Sequence, residues 1–273
     1  MTEEHGFTLI ELLVVCAILA AFSFLTWGAY ADVDRRAEDE LARTALLRLA
    51  DALRRFHNDT GYWPGEGPFR LENAPNCPLP DGTIDSSSSD TAGLIDKDWR
   101  PTGAAFKDID EQRRWFCAPA NLALLFEPPL LVAGKPLSHL QSWNPQTQRG
   151  WHGPYLPLSH RHWADVGASE RMNEGGMARD VPAFAAGPGF PPLGDFLKWR
   201  SLPSAAAGYE ANRHDFRSHP RPLAFLLKTP GGDTLPRVVY WGADGRFGGT
   251  NEDDPCLPNA VEPDGKDDLA LCL

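Results

Sequence analysis

Gly6-Phe7-Thr8-Leu9-Ile10-Glu11-Leu12-Leu13-Val14-Val15 opens an apolar stretch that contains a single carboxylate, and the accommodation of that carboxylate decides the fold. Residues 12–31 carry no charge. As a helix rising about 1.5 Å per residue they would cover about 30 Å, the thickness of a bilayer's hydrocarbon core, so a membrane-spanning helix is expected here. An ionised Glu11 at that depth costs roughly 2.5 kcal/mol or more without a partner. Either it reaches back to the headgroups or it meets a counter-charge. The residues before it, 1–6, include Glu3 and Glu4 and no Lys or Arg. A secretory signal peptide would start basic and end at a small-x-small site, so ordinary signal-peptidase cleavage is not expected. Arg35 and Arg36 follow the run. They would invert the topology by the positive-inside rule, which long C-terminal domains largely escape.

Proline sets the next boundary. The chain of 273 residues has 25 Pro, and none precedes Pro64. Because Pro removes a helix donor and clashes with the preceding turn, one uninterrupted helix is expected from about Thr8 to His57, about 75 Å long. Within it, Leu46, Leu49, Leu53 and Phe56 recur at steps of three and four, with Arg48, Asp51, Arg54 and Arg55 between them. That spacing gives an amphipathic face to bury on the chain's own globular part. Asn58-Asp59-Thr60-Gly61 supplies the stop, with Gly61 suited to a left-handed C-cap and Pro64 preventing resumption.

After this helix the chain is rich in loops. Asp85-Ser86-Ser87-Ser88-Ser89-Asp90 lies in a Pro- and Ser-rich region (65–120) that cannot build a continuous core. Residues 158–220 carry His160, His162, His214 and His219 among Gly and Pro and read as a surface insertion. Residues 223–227 and 237–241 read as two strands joined by the Pro230-Gly231-Gly232-Asp233 turn, an antiparallel hairpin. Of the 5 Cys, Cys16 sits in the apolar run. Cys77, Cys117, Cys256 and Cys272 can pair locally as Cys77 with Cys117 and Cys256 with Cys272, one of three connectivities, or stay reduced. The formal net charge of -11 argues against a nucleic-acid surface, which needs clustered Lys and Arg. No G-x-S-x-G, HExxH or phosphate loop occurs, so no enzyme is expected.

The stretch GFTLIELLVV resembles the leader junction of the type IV pilin and pseudopilin superfamily. Further along, ALRRFHNDTGYWP from Ala52, the pair NLALLFEP from Asn121 and RGWHGPYLP from Arg149, and GADGRFGG from Gly242 look like the major (G-type) pseudopilin of type II secretion systems. The resemblance implies cleavage by a prepilin peptidase between Gly6 and Phe7, N-methylation of Phe7, and an assembly role for Glu11. Paired with the Phe7 ammonium of a neighbouring subunit, Glu11 would neutralise a second charge that is equally costly in apolar surroundings. It also implies structural calcium in the GADG-containing loop. The ligands would come from Asp244, Asp254, Asp264, Asp267 and Asp268, oxygen donors of the kind calcium takes.

The expected fold is therefore α+β, a long helix with a membrane-spanning first half packed on a small antiparallel C-terminal sheet. Its parts would be a leader (1–6), a transmembrane and assembly helix (7–31), an exposed amphipathic half (32–63), a loop-rich variable region (64–222) and C-terminal strands with an acidic loop (223–273). The implied function is a pseudopilus subunit that self-associates into a filament driving protein export, or else a minor pilin or competence-type pseudopilin at a filament tip. Its partners would be the prepilin peptidase, an inner-membrane secretion platform, other pseudopilins and the inner membrane itself, with the C-terminal domain in the periplasm.

Overall fold

The structure is a computed structural model that describes residues 9–72, 94–99, 116, 121–157, 161–164, 181–186, 221–229, 233–240, 251, 254–259 and 268–273. The chain divides into two units, Met1–Leu41 and Ala42–Leu273. One helix, α1 (Leu9–Thr60), is 52 residues long, close to the extent that the absence of proline led us to expect. The first unit contains the apolar start of α1, and its described large hydrophobics are all exposed.

One expectation is overturned. Among the described residues no helix is long and apolar enough to cross a membrane. The apolar start of α1 also contains Glu11, in its first turn. The α+β description holds without a membrane-spanning half, and the single-pass inner-membrane placement inferred from that half is withdrawn with it.

The second unit holds the core. Leu46, Leu49, Leu53 and Phe56 of α1 are buried as their spacing predicted, joined by the small Ala42, Ala45, Ala50 and Ala52. Phe56 packs edge-on against Phe69 at 4.9 Å and Tyr155 at 5.5 Å between ring centroids, a favoured aromatic geometry. The helix stops where the sequence says it should. Gly61 has φ +80°, and its N–H donates to the His57 carbonyl at 2.7 Å. A short helix, α2 (Ala123–Phe126), is buried along its length. The indole Nε1 of Trp151 donates to the Leu124 carbonyl at 2.7 Å, and the Tyr155 N–H donates to the Leu125 carbonyl at 2.8 Å.

Five strands, β1 (Arg161–Ala164), β2 (Val181–Ala186), β3 (Arg221–Lys228), β4 (Thr234–Tyr240) and β5 (Leu269–Cys272), form one sheet in the order β1-β2-β3-β4-β5. Every pairing is antiparallel. The expected hairpin is β3 and β4, closed by Thr229 and Asp233: the Thr229 N–H donates to the Asp233 carbonyl at 2.9 Å. The region read as loop-rich (64–222) contributes β1 and β2, which lengthen the sheet. Between Leu226 and Lys228 the β3–β4 register shifts, a bulge that takes backbone groups out of the ladder. β5 is held at its far end by the Cys256–Cys272 disulfide, one of the two local pairs anticipated. Cys77 and Cys117 lie outside the described residues.

Candidate functional site

The apolar N-terminal segment of α1 is unlike an ordinary surface helix. Leu9 is 84% exposed and Ile10 70%, and Leu12, Leu13, Val14, Val15, Ile18 and Leu19 are exposed as well. Consecutive helical positions are about 100° apart, so these side chains surround the axis and leave no polar face. A helix that is apolar all round belongs in a buried setting, and a contiguous exposed apolar surface of this kind marks an interaction site. Glu11 lies in the first turn, where a carboxylate is favoured by the positive end of the helix dipole. Cys16 is exposed and outside any disulfide. Gly6 and Phe7, the expected processing residues, lie outside the described residues.

The acidic C-terminal residues are only partly described. Asp244, Asp264 and Asp267 lie outside the described residues. Asp254 is exposed, and its Oδ1 accepts the Cys256 N–H at 2.9 Å. Its own N–H donates to Asn251 Oδ1 at 3.2 Å. Asp268 is 3% exposed, directly before β5. Among the described residues no group of three or more His, Cys, Asp or Glu is placed to hold a metal ion, and of the expected ligand set only Asp254 and Asp268 fall among them.

Two features escaped the sequence reading. The end of α1 is clasped by the segment around Gly150. The Gly150 N–H donates to the Asp59 carbonyl at 2.9 Å, and Arg149 Nη1 donates to the Asn58 carbonyl at 2.9 Å. The Tyr155 hydroxyl accepts the His152 N–H at 2.9 Å and is bonded to the Asp59 carboxylate. Burial first, then the Asp59 charge, push its pKa well above the usual phenol range, so it stays a neutral structural hydroxyl. Gly150, at φ +117°, is irreplaceable here, because a Cβ would fall 2.1 Å from the Ser142 carbonyl oxygen. The only sequence signal for this clasp was the W-x-G-P-Y run. The second feature, the buried Arg237, left no signal, because a lone Arg in a strand reads as solvent-facing.

Neither a curated protein sequence nor a solved structure matches the chain. Residues 1–26 match the family model described as the prokaryotic N-terminal methylation motif. This motif is typical of type IV pilin-like proteins, and with the long helix and antiparallel sheet behind it the architecture is pilin-like.

Proposed function

We propose that the chain is a structural subunit of a type II secretion pseudopilus, cleaved after Gly6, N-methylated at Phe7, and assembled into a filament through α1. The observation that carries this reading is the position of the methylation motif (residues 1–26) at the head of a helix whose apolar side chains are exposed on all sides. Neighbouring subunits would supply the apolar surroundings which that segment lacks among the described residues. Glu11, in the first turn, would answer the Phe7 ammonium of the next subunit, since two opposite charges entering an apolar bundle together cost far less than either alone. The partners in this reading are other copies of the chain, other pseudopilins, the prepilin peptidase and the secretion platform.

The test is filament yield, measured by shearing and electron microscopy, when the chain is co-expressed with a prepilin peptidase and a secretion platform. Wild type should give filaments and Glu11→Ala should lose most of them, with both chains unfolding at the same denaturant concentration. Equal filament yield from the two, or none from wild type, would contradict the reading.

In the same reading calcium orders the acidic C-terminal residues, with Asp268 as the buried ligand and Asp244, Asp254, Asp264 and Asp267 contributing around it. Calcium should then raise the unfolding midpoint of the wild type and leave that of Asp268→Asn unchanged. A shift of equal size in both would remove the ion from the account.

A second position, at the filament tip, is favoured by β1 and β2. These strands lengthen the sheet with chain that every repeat of a filament body would otherwise have to accommodate. Counting subunits per filament by quantitative mass spectrometry separates the two: many copies for the body, one or two for the tip.

A further inference from the structure

Arg237 is the largest fully buried side chain in the molecule's described part, 0% exposed. It sits in β4 opposite Leu226 on β3 and Cys272 on β5, so neither cross-strand neighbour offers a charge. One nitrogen is used. Nη1 donates to the Lys228 carbonyl at 3.0 Å and to the Leu235 carbonyl at 3.2 Å, two acceptors beside the β3–β4 bulge. Nε and Nη2 have no hydrogen-bond partner among the described residues. Asp233, the acid at the hairpin's end, is exposed and uses its backbone on Thr229.

These two nitrogens are not scattered donors. In a guanidinium the Nε–H and one Nη2–H lie parallel along one edge, the fork that recognises anions in bidentate fashion. An ionised side chain fully removed from water with that edge unfilled is among the costliest arrangements a core can hold. Burial is the sole cause that lowers its pKa, to about 10, which leaves the group cationic at neutral pH.

We propose that the Nε–Nη2 edge of Arg237 is a binding site for a small monovalent anion of halide size, enclosed during folding as a structural counter-ion beside the β3–β4 bulge. The site has no part in assembly through α1 and stands whether or not the pseudopilus reading does. An enclosed anion that binds only the folded chain stabilises it in proportion to the logarithm of its concentration.

The probe is chloride. Thermal unfolding of the full chain is followed at constant ionic strength as sodium chloride replaces sodium gluconate, for wild type and Arg237→Met. The wild-type midpoint should rise by several degrees while that of Arg237→Met stays level. A wild-type midpoint indifferent to chloride, or the same rise in both chains, would overturn the proposal. If Arg237→Met does not fold, bromide replaces chloride in a crystal of the wild type: an anomalous peak within hydrogen-bonding reach of Nε and Nη2 supports the site, and its absence there refutes it.

Discussion

Two stretches of the same helix meet opposite fates. Around Leu49 and Phe56 the apolar residues recur at helical spacing and are fully buried. From Leu9 to Leu19 the apolar residues run almost without interruption and stay exposed. Helix propensity does not separate the two, since both form α1. Pattern does. A periodic stripe specifies one face and therefore one partner, which the chain supplies from its own sheet and loops. A helix apolar on all sides specifies a complete apolar environment, which the described residues do not supply. The first pattern explains a fold, and the second is the one on which the proposed assembly rests.

This contrast can be broken from either side. Phe56→Ala removes a ring that touches Phe69 and Tyr155. It should cost about 3–5 kcal/mol of unfolding free energy in a denaturant titration. A loss under about 1 kcal/mol would mean the amphipathic stripe is not the core. Replacing Cys256 and Cys272 together by Ser opens a loop with a sequence separation of 16. By chain entropy that should cost about 3 kcal/mol, seen as a lower denaturation midpoint that matches wild type measured in reductant. Gly61→Ala places a Cβ at φ +80°, where the nearest side-chain atom, Arg149 Nη1, is 3.5 Å away. Space is adequate, so the backbone strain alone, about 1 kcal/mol, should appear as the stability loss. The smallest effect belongs to the exposed stretch: Leu13→Ala should change the stability of the chain by less than about 0.5 kcal/mol while lowering filament yield. A large stability loss there would show that the stretch already packs within one chain.

The parts of the fold that could be read from the sequence are those written in a strict local code. Proline's absence before Pro64 gave the length of α1, the Asn58 to Gly61 corner gave its end, and the steps of three and four gave its buried face. Apolar runs on either side of Pro230-Gly231-Gly232-Asp233 gave β3 and β4. β1 and β2 were missed because Arg161-His162-Trp163-Ala164 and Val181-Pro182-Ala183-Phe184-Ala185-Ala186 are short and poor in alternation, and the second contains Pro182, so the signal lies in their pairing rather than in themselves. The uncharged run 12–31 was read as a membrane span from its lack of charge, and the described helix does not have the required apolar length. In the candidate site, Glu11 was conspicuous because a charge breaks an apolar run. Arg237 was not, since a lone Arg in a strand reads as solvent-facing and its burial is a tertiary feature.

The most direct test of the central claim is mass spectrometry of the N-terminal peptide after co-expression with an active prepilin peptidase. If the exposed apolar start of α1 is an assembly element of a pilin-like subunit, the peptide begins at Phe7 and carries one N-methyl group. An intact terminus retaining residues 1–6, from cells in which the peptidase processes a control substrate, would contradict it.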